Sequence, residues 1–281
     1  MWEKIAILGP GLIGGSIALA LHERELCQGA AVWGRSESSI EAVRLSGIAD
    51  IVSTDLSAVV KNASLVVLAT PIGAMPSLLG QALPHLPPSA LVTDVGSVKG
   101  GVVHSLDALC KGKAHFIGGH PMAGSEKTGF DAARADLFEG AVCLLTPVKS
   151  TDVQALARVR DFWEQLGCRV SEVAPEAHDE IVARISHFPH LIAALLVNTS
   201  CQNDANNSLQ YCGNGFRDTT RIASIAVEMW TEIILSNRKP LCELVGEMIC
   251  RLESLSKILK SGDSEQLAKC LSEARQWRNQ L

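Results

Sequence analysis

The sequence predicts an α/β protein, with a doubly wound parallel sheet in the first half and only helices in the second. In the first half, short apolar runs alternate with helical patterns, which is typical of parallel βαβ units. After residue 174 only helical periods remain. We therefore expect one α/β domain over residues 1–174 and an all-helical domain over residues 175–281.

The predicted strands are apolar runs that stop at glycine, proline or polar residues. They cover residues 5–8, 30–33, 50–54, 65–70, 91–95, 115–118, 142–146 and 169–173. Helical periodicity in the first half covers residues 16–26, 37–45, 57–61 and 151–166. In the second half it covers residues 177–184, 190–201, 218–226, 228–236 and 240–261.

Composition narrows the class of protein. With 47% apolar and 20% charged residues the chain is neither disordered nor fibrous, and its net charge of −5 argues against a nucleic-acid partner. The longest apolar runs are shorter than the roughly 18 residues that span a membrane, and no signal peptide is visible, so we expect no membrane partner. The 9 cysteines contain no C-x-x-C pair, which favours a cytoplasmic location and no metal site.

A glycine-rich turn follows the first predicted strand and opens a helix. Gly9, Gly11 and Gly14 form a G-x-G-x-x-G pattern with Leu12 and Ile13 between them. In this position the first glycine permits a tight turn, the second allows a pyrophosphate to approach the backbone, and the third allows close packing of helix on strand. The pattern predicts that these five residues bind a dinucleotide at the helix N-terminus.

The end of the second strand bears on the choice of dinucleotide. An NAD site usually has an acidic residue there, about 20 residues beyond the glycines, to hold the ribose hydroxyls. Here Arg35 and Ser36 stand at the tip, and both suit the additional phosphate of NADP. We therefore favour NADP over NAD. In the alternative, Arg35 stacks on the adenine and Glu37, the first acid, takes the ribose.

Three further strand ends carry candidate chemical residues. Thr70 and Pro71 end one strand where a nicotinamide would lie, Ser97 follows the next, and His120 follows two glycines at the end of a third. The carboxyl ends of parallel strands form the ligand crevice of an open α/β sheet. An imidazole there can take a hydroxyl proton while hydride leaves the same carbon, because its ordinary pKa is near 6.5. A serine beside it can hold the same hydroxyl.

Six motifs in order resemble a known enzyme family, the prephenate/arogenate (cyclohexadienyl) dehydrogenases of tyrosine biosynthesis. They are GPGLIGGS, ATPI, TDVGSVKG, GGHPMAGSEKTG, ISHFPH and GFRDTTRIA, and the resemblance covers about residues 5–260. It implies a Rossmann-type first domain and a helical second domain that forms a homodimer. The implied reaction is NAD(P)-dependent oxidative decarboxylation of prephenate to 4-hydroxyphenylpyruvate, or of arogenate to tyrosine.

The resemblance assigns roles to single residues. His120 matches the histidine that accepts the proton of the ring hydroxyl, and Ser97 matches the serine that binds the same hydroxyl. His190 matches a histidine near the substrate side chain, and Arg221 matches the arginine that binds a substrate carboxylate.

Three more candidates for substrate binding lie within the same motifs. Ser125 and Glu126 follow His120 in the same motif, and Arg217 precedes Arg221 by four residues, a spacing that lets both face one side of a helix. Glu126 either gates the pocket or pairs with Lys127. Arg217 is either a substrate ligand or a solvated or interface charge.

Two other functions compete with this interpretation. A 3-hydroxyacid or phosphogluconate-type dehydrogenase has the same layout of a Rossmann domain followed by a helical domain. Such enzymes usually need a catalytic lysine on a helix, and the first lysine after residue 174 is Lys239. A nucleotide-sensing regulatory protein with a dead site would be expected to lose His120, Ser97 or Arg221. Apolar stripes over residues 190–201, 228–236 and 241–259 exceed what one helical layer can bury and independently favour a homodimer.

Overall fold

The computed structural model describes residues 1–125, 127–202, 208–224 and 226–280. It divides into two compact units, Met1–Asn237 and Arg238–Leu281, which are described separately below.

The first unit is built on one eight-stranded sheet. Its strands are β1 (Trp2–Leu8), β2 (Cys27–Trp33), β3 (Ile51–Ser53), β4 (Leu65–Leu68), β5 (Ala90–Asp94), β6 (Ala114–Pro121), β7 (Val142–Thr146) and β8 (Arg169–Glu172). Their order is β3-β2-β1-β4-β5-β6-β7-β8. All neighbours are parallel except β6 and β7, which pair antiparallel, so the sheet is mostly parallel.

A helical crossover is what allows two neighbouring strands to be parallel. Between β6 and β7 the described residues contain only one short 3-10 turn, Phe130–Ala132, so β7 runs back beside β6.

Six helices connect the strands of the first unit. They are α1 (Leu12–Glu23), α2 (Glu37–Ser46), α3 (Leu56–Val60), α4 (Met75–Ala82), α5 (Gly100–Cys110) and α6 (Val153–Gln165). The sequence did not predict α4 or α5. Two glycines and two valines open α5, and residues of these types form helices poorly. The burial of Val103, Leu106 and Cys110 shows that packing stabilises it.

The core lies on both faces of the sheet. Along β1, Ile5 and Ile7 pack into one apolar cluster, whereas Ala6 and Leu8 pack into the other. Side chains alternate between the two faces of a strand, so a fully apolar strand implies helices on both sides. The doubly wound architecture predicted from the sequence is therefore confirmed.

The chain after β8 is helical, as predicted. Helix α7 (Pro175–Val182), a π-helical turn (Ala183–His187) and α8 (Phe188–Cys201) form one continuous run. Among the described residues this run, Pro175–Cys201, is the one helical segment long and apolar enough to cross a membrane by length and composition alone, with a mean hydropathy of 1.4. Its polar residues His178 and Asp179 are buried, however, and hydrogen-bond to residues of the sheet edge.

The remaining helices differ in part from the prediction. In the first unit α9 covers Asn214–Thr220, a 3-10 turn covers Arg221–Ala223 and α10 covers Val227–Ser236, so the helix expected over residues 218–226 does not form. The second unit consists of α11 (Arg238–Ser261) and α12 (Ser264–Arg278). Helix α12 was not predicted. Its N-cap is Asp263, whose side chain accepts a hydrogen bond from the Gln266 amide.

Candidate active site

The glycine turn leaves space for a ligand directly above the backbone. Gly9 has φ of +119°, and a Cβ atom at Gly14 would lie 2.0 Å from the Gly9 carbonyl oxygen, so both positions require glycine. A Cβ atom at Gly11 would meet nothing within 4 Å. Leu12 and Ile13, both half-buried, begin α1, whose N-terminus has no side-chain cap. Unpaired amides beside open space suit the pyrophosphate of a dinucleotide.

The tip of β2 presents one basic side chain without a competing acid. Arg35 is exposed, and Ser36 lies at the N-cap of α2. Glu37 Oε2 is 2.7 Å from Arg44 Nη2, and Thr54 donates a hydrogen bond of 3.3 Å to Glu37 Oε1. The hydrogen bond from Arg44 lowers the pKa of Glu37. Glu37, the alternative ligand of the ribose, is therefore paired with Arg44 of the same helix.

The residues after β4 include a polar atom that has no partner. Thr70 Oγ1 is fully buried and makes no hydrogen bond to a described residue. Pro71 is exposed and precedes a short 3-10 turn, where the Gly73 amide donates a hydrogen bond to Glu232 of α10. A buried hydroxyl without a partner is costly unless a ligand or water satisfies it.

A buried ion pair supports the strand ends of β5 and β6. Lys99 Nζ lies 2.7 Å from Asp94 Oδ2, and both side chains are completely buried. Lys99 also donates to the Gly96 carbonyl at 2.6 Å, and Asp94 accepts hydrogen bonds from the amides of Gly96 and Gly119. The pair fixes the turn that carries half-buried Ser97 and the backbone just before His120.

His120 lies at the carboxyl end of β6, and only 7% of its surface is exposed. Burial, together with nearby Lys99, His178 and His187, holds its pKa well below the usual 6.5, so its imidazole is neutral at physiological pH. Its Nδ1 lies 2.8 Å from His178 Nε2. Its Nε2 makes no hydrogen bond to a described residue and is not fully enclosed, which leaves this nitrogen available to a ligand.

Two residues of α7 that were not predicted from the sequence lie beside this histidine. His178 hydrogen-bonds to His120, and Asp179 hydrogen-bonds to His178. His178 is completely buried between His120 and Asp179, and its Nδ1 lies 2.8 Å from Asp179 Oδ1. Asp179 also accepts hydrogen bonds from the backbone amides of Lys99, at 2.7 Å, and Gly100, at 2.8 Å. No local motif marks these residues, since His178 is 58 positions from His120.

The π-helical turn brings a further buried histidine to the site. Asn237 Nδ2 donates to His187 Nδ1 at 3.0 Å and to the Asp179 carbonyl at 2.8 Å. Because the amide can only donate, neutral His187 carries its proton on Nε2, an atom that is buried and has no partner among the described residues. Burial lowers the pKa of His187 to about 4, and the backbone of Ser97 lies close enough to raise it slightly.

His190 and Arg221 extend the same cluster. The ring of His190 stacks on Trp230 with 3.6 Å between centroids, and His187 packs edge-on against the same tryptophan. His190 Nδ1 donates to the Ser186 carbonyl at 2.9 Å. The pKa of His190 is lowered, mainly by burial and also by the nearby charge of Arg221. Trp230 therefore brings His187 and His190 together within the first unit.

Two other predicted substrate ligands, Ser125 and Arg217, make their hydrogen bonds outside this cluster. Ser125 is exposed and accepts a hydrogen bond from the Lys127 amide, while Glu126 lies outside the described residues. Exposed Arg217 donates to the Cys212 carbonyl at 3.3 Å. Helix α9 ends at Thr220, and Arg221 follows as its C-cap with helical backbone angles at the start of a 3-10 turn.

Two protein-family models match this chain. The first is described as the nucleotide-binding domain of prephenate dehydrogenase and matches residues 17–172. The second is described as the dimerization domain of prephenate dehydrogenase and matches residues 174–273.

Individual relatives match over the whole chain. It is 36% identical to a prephenate dehydrogenase of Bacillus subtilis, covering 100% of this chain and 76% of that protein. It is 32% identical to a cyclohexadienyl dehydrogenase of Zymomonas mobilis, covering 99% of this chain and 96% of that one. A crystal structure of A. aeolicus prephenate dehydrogenase with hydroxyphenyl propionate and NAD+ has a TM-score of 0.93 and 30% identity, covering 100% of this chain and 98% of that one. The chain therefore belongs to the prephenate dehydrogenase family of oxidoreductases.

Proposed function

We propose that this protein catalyses the NAD(P)-dependent oxidative decarboxylation of prephenate, arogenate or both. The observation that carries the proposal is the neutral, buried imidazole of His120 at the carboxyl edge of a sheet with an open glycine turn. Its Nε2 has no hydrogen-bond partner among the described residues. The alternative of a 3-hydroxyacid or phosphogluconate-type dehydrogenase requires a helical lysine, and residues 175–238 contain no lysine.

The chain offers a suitable place for the dinucleotide. The turn Gly9–Gly14 would hold the pyrophosphate, and Thr70 and Pro71 would border the nicotinamide. Bound there, the nicotinamide supplies a two-electron acceptor for the hydrogen on ring C4 of the substrate. The unsatisfied Thr70 hydroxyl and the unpaired amides of α1 are the polar groups that such a ligand would satisfy.

His120 Nε2 would accept the proton of the ring hydroxyl as the C4 hydrogen leaves with its electron pair, and Ser97 would hold that hydroxyl in line. The resulting ring carbonyl is a vinylogous β-keto acid, so the bond to the ring carboxylate breaks and CO2 leaves. The freed electron pair enters the ring, which becomes aromatic. His120 then returns its proton to the new phenolic oxygen, which restores the neutral imidazole.

The substrates carry two carboxylates, and the site supplies a cation from its helical side. Arg221 would bind one carboxylate through its planar guanidinium, and His190 would lie near the substrate side chain. We propose Ser125, Glu126 and Arg217 as peripheral ligands of the substrate.

We propose a preference for NADP. Arg35 at the tip of β2 is positioned to meet an additional phosphate, with Ser36 beside it. Glu37, which would repel that phosphate, is paired with Arg44 and Thr54.

A kinetic matrix tests the reaction and the cofactor together. Prephenate and arogenate are each assayed with NAD and NADP by following reduced nicotinamide and CO2. We expect turnover of at least one substrate, stoichiometric CO2 and a lower KM for NADP. Reduction without CO2, or activity only with 3-hydroxyacids, would contradict the proposed function.

We further propose a homodimer formed by the helical region, residues 175–281. In the first unit that region exposes Ile185, Leu195 and Leu235, which are 64%, 55% and 62% accessible. A monomer rarely leaves so many large apolar side chains in water. Sedimentation should show a dimer at micromolar concentration, and a stable monomer would contradict this proposal.

A further inference from the structure

The side chains of His120, His178 and Asp179 form an unbroken hydrogen-bonded row. Asp179 Oδ1 lies 2.8 Å from His178 Nδ1, and His178 Nε2 lies 2.8 Å from His120 Nδ1. The row starts on α7 and ends at the last residues of β6. All three side chains are buried, so water does not compete for these hydrogen bonds.

The backbone fixes the direction of every hydrogen bond in the row. Asp179 accepts the amide hydrogens of Lys99 and Gly100 at the start of α5, an arrangement that stabilises an ionised carboxylate. An ionised carboxylate can only accept, so His178 Nδ1 must donate to it. Neutral His178 then has only a lone pair on Nε2, and His120 Nδ1 must donate to that lone pair. The proton of neutral His120 is therefore on Nδ1, and Nε2 is unprotonated.

We infer that His178 and Asp179 are positioning residues that hold His120 in the tautomer whose Nε2 can accept the substrate proton. This inference rests on the proposed role of His120. A neutral imidazole otherwise distributes its proton between both nitrogens, and the tautomer with a proton on Nε2 cannot act as a base there. The pair also stabilises the imidazolium formed during the reaction, because the positive ring donates along the row to the carboxylate.

The charged and titratable groups around His120 come from several elements. Lys99, His178 and His187 all lower its pKa, and burial lowers it most. Asp94 lies on the neighbouring strand and is paired with Lys99, so Asp179 is the carboxylate that reaches His120 through a hydrogen-bonded neighbour. The row therefore leaves the lone pair on Nε2 of His120, although burial and the nearby positive groups disfavour protonation of this imidazole.

The tautomer is measured directly by NMR on the full-length protein labelled with ¹⁵N-histidine. Two-bond ¹H–¹⁵N correlations distinguish a proton on Nδ1 from one on Nε2, and His120 is assigned among the 8 histidines by its absence in His120→Asn. We expect His120 to carry its proton on Nδ1. A proton on Nε2 would overturn the inference. This readout needs no turnover, so its failure is distinct from a failure of the proposed function in the kinetic matrix.

Two substitutions of His178 separate positioning from packing. His178→Phe keeps a ring but removes the acceptor, whereas the amide oxygen of His178→Gln can still accept from His120 Nδ1. We expect His178→Phe to shift the His120 proton toward Nε2 and to lower kcat by at least about 10-fold, toward the about 10⁴-fold loss that a wrong tautomer causes in a serine-protease triad. KM and nucleotide affinity should stay unchanged. His178→Gln should recover the Nδ1 tautomer and at least about 10-fold in kcat relative to His178→Phe.

A control and a second criterion keep the test falsifiable. His104 on α5 pairs with Glu176 of α7 and is exposed, so His104→Phe disturbs a nearby histidine contact without touching the row and should leave kcat unchanged. Equal losses of kcat in His178→Phe and His178→Gln, with the wild-type tautomer in both, would indicate a packing role and overturn the inference. If His178→Phe does not fold, the spectra of the wild type and His178→Gln still decide the question.

Discussion

The two halves of the candidate site are built in opposite ways. The nucleotide turn offers backbone amides and empty space, and its essential residues are glycines within one stretch of six. The proposed proton-transfer site is built mainly of buried side chains, which come from β5, β6, α7 and the π-helical turn. The nucleotide turn depends on the small size of its glycines, whereas the second half depends on hydrogen bonds and an ion pair between buried side chains.

Because of this difference, we expect substitutions in the two halves to have different effects. Adding one methyl group to the turn blocks a ligand or a backbone contact, with local consequences. Removing one member of the buried network leaves another group unpaired, which costs both stability and chemistry. The predictions below test that contrast, from the largest expected effect to the smallest.

His120→Asn should lower kcat by about 10²–10⁴-fold, because loss of a general base has that cost. The affinity for the nucleotide should not change, since the glycine turn follows β1, which β4 and β5 separate from β6 in the sheet. Steady-state rates and a fluorescence titration with NADP measure the two quantities. Near-normal turnover would remove His120 from its proposed role.

Lys99→Met should destabilise the fold by about 3–5 kcal/mol, because Asp94 would be left buried and charged. A matched control is Asp136→Ala, which breaks the exposed pair with Arg134 at 3.2 Å and should cost about 0–1 kcal/mol. Urea unfolding of both variants measures the free energy of unfolding. Equal, small losses in the two variants would show that the buried pair does not support the site.

Gly14→Ala and Gly11→Ala should differ in stability but not in binding. At Gly14 the added Cβ meets the Gly9 carbonyl oxygen, so we expect a loss of about 1–3 kcal/mol together with weak nucleotide binding. At Gly11 the added Cβ enters open space, so stability should be retained while nucleotide affinity falls. Thermal melts with and without NADP compare them. Normal NADP binding by Gly11→Ala would mean that the pyrophosphate lies elsewhere.

Arg35→Ala should raise the KM for NADP by about 10-fold. This change corresponds to the loss of one charge-assisted hydrogen bond at an exposed position. The KM for NAD serves as the internal control and should stay the same, because NAD has no phosphate at this position. Equal changes for both nucleotides would instead indicate that Arg35 stacks on the adenine.

The sequence predicted the fold and the nucleotide turn well, because both depend on local patterns. Apolar runs mark the strands, and the glycines of the turn are adjacent in the chain. It did not predict α4, α5 or α12. It also missed the reversed direction of β7, which depends on the lack of a crossover helix after β6.

The proton-transfer site could be predicted only in part. His120 and Ser97 lie at strand ends, where the topology itself suggests a function. His178 and Asp179 become relevant only once α7 packs against β6, a contact that no sequence spacing encodes. Lys99 and Asp94 belong to a recognised motif, but charged residues are usually solvated, so their complete burial was not expected.

The central claim is that an imidazole kept neutral by burial accepts the substrate proton, and the pH dependence of kcat/KM tests it most directly. Because the pKa of His120 lies below 6.5, the neutral base persists as the pH falls through 6.5, and activity is lost only at lower pH. We predict a plateau that includes pH 6.5, with an acid limb well below it that is absent from the residual activity of His120→Asn. A half-maximal value at or above pH 6.5, or the same limb in His120→Asn, would contradict the account.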